Sequence, residues 1–271
     1  MSARAGAAAL AAVSLVACGS ESAPPAATVP APKVLRIVFP EGFTRAQMTT
    51  RIDAVWKIAR VKRKVTMRMT APAYAAATAA SPIPVQFRMD AHEQIEGFLF
   101  PATYAFFSNE AAPRFVRRQL SAFRRAWRRV DMRYARSKNL TPYDVLIIAS
   151  MIEREVVVPR ERRLVAAVVY NRLRAGMPLG IDATLRYGLG IPPTEPITKD
   201  DLASPSPYNT RIRTGLPPTP IANPGLASIQ AAAHPAKVDY LYFVRKPDCR
   251  SHFFTASAAE FEAYTRKGLQ C

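Results

Sequence analysis

Residues 148–187, IASMIEREVVVPRERRLVAAVVYNRLRAGMPLGIDATLRY, set the reading of the whole chain. They open inside a helix that starts upstream at Thr141-Pro142-Tyr143-Asp144, with threonine as the cap, proline at the first helical position and aspartate two residues on. Val145, Leu146, Ile147, Ile148, Ala149, Met151 and Ile152 then cover nearly every side of it, so the pattern predicts a buried helix. Glu153 stands in that helix where water is scarce. A carboxylate there is costly unless it is paired, protonated or lining a cleft. Apolar surroundings favour the neutral carboxyl group, the form that a general acid needs. The structural alternative is a glutamate bridged to Arg154, Arg162 or Arg163. Glu155, two residues on, points about 200° away around the helix and reads as structural.

On either side of this segment the pattern stays legible. Pro159 opens a second helix that runs to Arg174 and stops at Gly176. Upstream, 114–138 carries an apolar stripe at Val116, Leu120, Phe123, Trp127, Val130 and Tyr134, spaced as one helical face. Arg117, Arg118, Arg124, Arg125, Arg128, Arg129 and Arg133 occupy the opposite side, as a solvated face or a contact for anionic polymers or lipid head groups. Near the start, Val34–Phe39 alternates as a strand, and Thr44-Arg45-Ala46-Gln47 is a capping box for a helix to about Arg60. An Ala-rich helix is predicted over 70–80, broken by Ser81-Pro82-Ile83-Pro84. Residues 177–224 have little regular pattern and many Pro and Gly, which marks a binding surface. Tyr240–Val244 reads as a strand, and the whole as α+β.

The motifs in and around the opening segment resemble the YceG-like family of endolytic murein transglycosylases. They are Ser150-Met151-Ile152-Glu153-Arg154-Glu155, Glu161-Arg162, Asn171-Arg172-Leu173, Gly176-Met177-Pro178-Leu179 and Asp182-Ala183-Thr184-Leu185-Arg186-Tyr187. Ser206-Pro207-Tyr208-Asn209-Thr210, Gly215-Leu216-Pro217-Pro218, Pro220-Ile221, Pro224-Gly225, 231–235 (AAAHP) and Tyr240-Leu241-Tyr242-Phe243 follow in order. Upstream, Glu96-Gly97-Phe98-Leu99-Phe100-Pro101-Ala102-Thr103-Tyr104 resembles the same pattern. The chain departs from it at Gly180, Ala183 and Ala102, where the family usually has Gln, Pro and Asp, and at Phe261, where it usually has His.

The resemblance implies a small LysM-like module over 34–90, followed by a mixed α+β catalytic domain over 91–271 built around the helix of Glu153. It implies cleavage of the MurNAc–GlcNAc bond of nascent glycan strands with formation of 1,6-anhydro-MurNAc ends, Glu153 acting first as acid and then as base. No cofactor is implied. One carboxyl suffices because the nucleophile, the sugar's own C6 hydroxyl, is intramolecular. Asp182, Thr184, Tyr208 and Asn209 are the expected substrate-positioning residues, with Asn209 near the acid and Glu153 at the floor of a groove walled by 177–224. Two alternatives are a hydrolase with Asp182 as second carboxylate and a catalytically silent peptidoglycan-binding lipoprotein.

With 38 Lys and Arg against 20 Asp and Glu the chain carries a formal charge of +18, which calls for anionic surroundings. No nucleic-acid motif accompanies the charge. The His92-Glu93-Gln94-Ile95-Glu96 run lacks the second histidine of a zinc site, and no metal site is expected. His234 reads as a loop-packing residue. Residues 1–17 read as a lipoprotein signal peptide: Arg4, an apolar stretch too short to span a bilayer, and Leu15-Val16-Ala17-Cys18 as a lipobox. An ordinary cleavage site or an uncleaved anchor is the alternative. Cys18 would then be lipidated and hold the chain on the outer face of the cytoplasmic membrane, near peptidoglycan synthases. Residues 18–33 form a Pro/Ala-rich tether reaching roughly 45 Å. In an exported chain Cys249 and Cys271 are expected to form a disulfide, adding about 3 kcal/mol.

Overall fold

Strand β1 (Val34–Val38) buries Leu35 and Ile37 and exposes the residues between, as the alternation predicts. The turn at Pro40–Phe43 leads into α1 (Arg45–Arg63), where Thr44 and Gln47 form the expected capping box. Such a cap contributes about 1 kcal/mol. Helix α2 (Ala71–Ala79) is capped by Thr70 and packs on α1. The partner of β1 is β2 (Thr103–Phe107), antiparallel, with Val34 opposite Phe107 and Val38 opposite Thr103. The small module expected over 34–90 therefore takes its second strand from beyond residue 90. Phe39, Tyr74, Tyr104, Phe106 and Phe115 join the strands and helices in one aromatic cluster.

The arginine-rich helix is shorter than its stripe suggests. Helix α3 (Ala112–Trp127) buries Val116, Leu120, Phe123 and Trp127, and then ends at Arg128. Asp131 Oδ1 accepts the Arg133 N–H and starts a separate turn, α4 (Arg133–Arg136), which divides the predicted run. A side chain that offers the backbone a local partner competes with helix continuation in this way.

Helix α5 (Pro142–Glu155) is the centre of the larger part of the core. Thr141 and Asp144 cap it reciprocally, and residues 145–152 are all buried. A 3-10 turn from Pro159 opens α6 (Arg162–Arg174), which ends before Gly176 in the left-handed conformation. The segment that looked irregular contains α7 (Asp182–Leu189) and α8 (Lys199–Ala203). Beyond it, α9 (Leu226–Ala233) packs against both α5 and α6. The hairpin β3 (Tyr242–Arg245) and β4 (His252–Thr255) follows, flanked by α10 (Ala258–Arg266). His252 pairs with Glu161 at 2.7 Å in the interior, tying the hairpin to the start of α6. Among the described residues the fold is α+β, with two short antiparallel sheets and the helices around α5 between them in sequence.

The computed structural model describes Met1 and residues 31–88 and 94–268. The expected signal peptide with Cys18, most of the tether, His92 and Cys271 lie outside the described residues. Among the described residues no helix is long and apolar enough to cross a membrane.

Candidate functional site

Glu153 sits in the last turn of α5, and its side chain is 6 % exposed. Helix α9 aims its N-terminus at it: Oε2 accepts the Gly225 N–H at 2.9 Å. Glycine at the N-cap has no side chain to cap α9, and the Glu153 carboxyl sits at that end. Arg162 approaches Oε1 from α6, but only to 3.9 Å, and its Nε donates to Ser228 Oγ on α9. The carboxyl is thus placed by one strong hydrogen bond and one distant cation, not clamped by a guanidinium. Arg154, the other arginine weighed as a partner, donates to the Gly42 carbonyl at 3.3 Å.

The turn at Pro40–Phe43 closes over this end of α5. Gly42 has φ of 79°, a conformation that glycine adopts freely, and a Cβ there would lie 3.5 Å from Glu153 Cγ. Gly42 N donates to the Asn223 carbonyl at 2.9 Å, and Asn223 N returns a bond to the Phe43 carbonyl at 3.0 Å. The Asn223 side chain, fully buried, donates from Nδ2 to Phe43 O and to Glu96 Oε1, while Oδ1 accepts from Gly97 N and Leu99 N. One asparagine therefore pins three segments that are far apart in sequence. Glu41, at the tip of the turn, lies directly against Gly225. Burial and the neighbouring Glu153 push its pKa up, and Arg162 pulls it back.

On the Arg154 side of the turn lies an open cleft of ≈ 610 Å³, lined among others by Arg45, Gln47, Glu96, Arg154, Arg186 and Tyr187. Glu96 is 5 % exposed. Its oxygens accept the Arg45 N–H at 3.0 and 3.1 Å, Asn223 Nδ2 at 2.6 Å and Tyr187 OH at 3.4 Å. Burial pushes its pKa up to about 7 against the pull of those donors and of Arg45. Arg186 donates to the Pro192 and Glu195 carbonyls and so shapes the cleft's outer wall.

The four residues expected to position substrate fare differently. Asp182, at the start of α7, is exposed enough to meet solvent and pairs with Arg211 at 2.6 Å. Tyr208 is half-buried, its hydroxyl 2.7 Å from Thr219 Oγ1 and its ring against Tyr187, a cleft residue. Thr184 is fully buried, bonded to Ile181 O and Thr210 Oγ1. Asn209 is fully buried too, donating to the Leu202 and Ser204 carbonyls and accepting from Arg211 N. Thr184 and Asn209 are buried, and their polar groups are bonded within the 177–224 segment, which they hold in shape. Their polarity serves buried backbone, which needs partners as much as a ligand does. The expected groove also divides: residues 183–193 wall the cleft beside Arg154, while Glu153 faces Glu41 and Gly225.

Glu155, the other carboxylate of the motif, is paired inside the fold. It lies within 3.9 Å of Arg245, and burial raises its pKa against that guanidinium. His234 packs against Tyr134, as a loop residue should. Among the described residues no cluster of His, Cys, Asp and Glu could hold a metal ion. The residues that the sequence reading passed over are Asn223 and Glu41. Only the folded chain brings Glu41 beside Glu153, and Asn223 holds the turn that carries it.

The family model of the YceG-like family matches residues 20–267. An endolytic murein transglycosylase of Bacillus subtilis (strain 168) is 37 % identical over 160 residues, covering 59 % of this chain and 44 % of its own. One of Streptococcus pneumoniae (strain ATCC BAA-255 / R6) is 30 % identical over 230 residues, covering 79 % of this chain and 41 % of its own. The chain spans less than half the length of these curated relatives. The crystal structure of a yceG-like protein from Listeria monocytogenes superposes with a TM-score of 0.67 at 30 % identity, over 84 % of this chain and 75 % of that one. With the family's motifs in order along the chain, its pattern matched almost end to end and its fold reproduced, this chain belongs to the YceG-like family.

Proposed function

We propose that the protein is an endolytic lytic transglycosylase that cuts the MurNAc–GlcNAc bond of peptidoglycan strands, with Glu153 as its acid and base. The observation that carries the reading is the setting of Glu153: a nearly buried carboxyl at the end of an apolar helix, held by one backbone N–H and free of a bidentate arginine. Glu153 gives its proton to the leaving oxygen as the bond to muramic acid C1 breaks. The C6 hydroxyl of the same sugar then bonds to C1 and returns its proton to Glu153, closing the 1,6-anhydro ring. The names of the Bacillus and Streptococcus relatives support this substrate and reaction.

The cleft beside Arg154 is proposed to hold the flanking sugars of the glycan, with Tyr208 and Asp182 at its margin and Thr184 and Asn209 as its scaffold, while the bond that is cut reaches Glu153 across the Gly42 turn. The strand, turn and helix over 34–63 are the proposed LysM-like element, and here they also supply the roof of the Glu153 site. A lipid anchor at Cys18, an extracytoplasmic place at the membrane, work beside peptidoglycan synthases and a Cys249–Cys271 disulfide complete the proposal. The hydrolase alternative with Asp182 as partner loses support from the Arg211 pair, which occupies that carboxylate. The test is mass spectrometry of muropeptides released by the full chain from purified sacculi. Anhydro-MurNAc ends that vanish with Glu153→Gln are expected. Reducing ends would point to hydrolysis, and no release at all to a silent binder.

A further inference from the structure

Glu41 lies beside Glu153 for reasons that are all backbone geometry. The turn that carries it is tied to 223–225 by Gly42 N to Asn223 O and Asn223 N to Phe43 O, and to α5 by Arg154. A Cβ on Gly225 would stand 1.8 Å from Glu41 Oε1 and 2.1 Å from its Cδ, so the carboxyl occupies the space that any other residue at 225 would need. The N–H of that same glycine donates to Glu153 Oε2 at 2.9 Å. The two carboxyls therefore flank one residue, and with an N-to-Cβ span of about 2.5 Å they lie no more than about 7 Å apart. Carboxyl pairs that work on either side of a glycosidic bond stand about 5 to 10 Å apart. Unlike Glu153, Glu41 is exposed as a residue at the surface of the turn, and only its carboxyl end is partly buried against Gly225 and Glu153.

We propose that Glu41 is the second functional carboxylate of the Glu153 site, opposing the positive charge that develops at the anomeric carbon as the glycosidic bond breaks. The inference rests on the transglycosylase reading above and adds a group to it. Glu41 transfers no proton: the proton leaves Glu153 for the departing oxygen and returns to it from the C6 hydroxyl, and Glu41 acts only in its ionised form. Preorganised charge of this kind acts on the transition state more than on the bound substrate. The charged groups facing Glu41 are Glu153 from α5 and Arg162 from α6, with Arg154 holding the turn's backbone. Burial and Glu153 keep the Glu41 proton on to higher pH than an ordinary glutamate, so the acidic limb of activity should lie above the usual carboxylate range.

The experiment measures kcat, KM and the pH profile of the full chain on sacculi for Glu41→Gln, Glu41→Asp and Gly225→Ala, with thermal denaturation alongside. Glu41→Gln is expected to lower kcat about a hundredfold with KM little changed, and to abolish the acidic limb. Glu41→Asp should recover part of the rate. Gly225→Ala keeps the N–H for Glu153 but pushes the flexible Glu41 carboxyl aside, so it should lose rate in the same way while melting like the wild type. Wild-type kcat and an unchanged acidic limb in Glu41→Gln overturn the inference. So does a loss that follows unfolding in both Glu41 variants, which would mark a structural residue. If Glu153→Gln is inactive while Glu41→Gln is normal, only this inference fails. A fully active Glu153→Gln would bring down the site reading beneath it.

Discussion

Glu153 and Glu96 are both almost completely buried, both lie in motifs of the family, and the fold treats them in different ways. Glu96 is surrounded by donors: the first N–H of α1, the Asn223 amide and the Tyr187 hydroxyl. Its carboxyl ties α1, the 96–99 segment and α7 together. Glu153 has one hydrogen bond and a guanidinium just beyond bonding distance, with another carboxyl as neighbour. A fully coordinated acid is fixed in place and serves the structure. One held by a single N–H keeps a free oxygen for a substrate. Burial is common to Glu96 and to the acid proposed at Glu153, and the number and direction of their donors are what differ.

Replacing each acid by its amide separates the two regions, and the largest effect should come from Glu153→Gln. Release of anhydro-muropeptides is expected to fall by at least about a thousandfold, with the denaturation midpoint nearly unchanged. Normal turnover in a folded Glu153→Gln chain, or full loss of turnover in a stable Glu96→Gln chain, would exchange the roles assigned here. Asn223→Ala should come next. It strands the Gly97 and Leu99 N–H groups and removes the side-chain bonds to Phe43 O and Glu96, so urea unfolding should show a loss of about 4 kcal/mol.

Glu96→Gln sharpens the contrast through pH. The folded-state pKa of Glu96 is about 7, above the ordinary value of 4.5, so folding favours the protonated form. The stabilisation from this proton is fully present below pH 4.5 and is lost as pH rises through 7. It amounts to about 3 kcal/mol across that window. Wild-type unfolding free energy should decline from pH 4.5 to 7.5 by that amount relative to Glu96→Gln, and parallel pH curves for the two chains would refute the assignment. The smallest effect belongs to Asp182→Asn, which breaks an exposed pair with Arg211. Stability should change by less than about 1 kcal/mol. A large fall in turnover without a stability change would return Asp182 to the substrate site.

The short-range features legible in the sequence are ones whose signal lies within one turn of chain. Thr44 with Gln47, Thr141 with Asp144 and Pro159 with Gly176 mark helix ends because caps and breakers act on the residues beside them. The stripe from Val116 to Trp127 was legible for the same reason. Its break at Arg128 was not, because an apolar residue at 130 continues the periodicity while Asp131 redirects the backbone. Strand β2 escaped notice because a five-residue run counts as a strand only once β1 lies beside it. Helices α7, α8 and α9 were missed since each is eight residues or fewer, among prolines and glycines that outweigh so short a pattern.

The sequence by itself determined the buried helix of Glu153, the order of motifs that places the chain in its family and the α+β character of the whole. These rest on periodicity, capping and residue identity, which are local. Only the tertiary structure decided which polar residues are available for chemistry. The polar groups of Thr184 and Asn209 are bonded within their own segment, while Glu41, distant in the chain from Glu153, is brought to it by a turn that Asn223 holds. A side chain's polarity is written in the sequence. Its partners depend on which segments the core brings together, and that is set by packing across the whole chain.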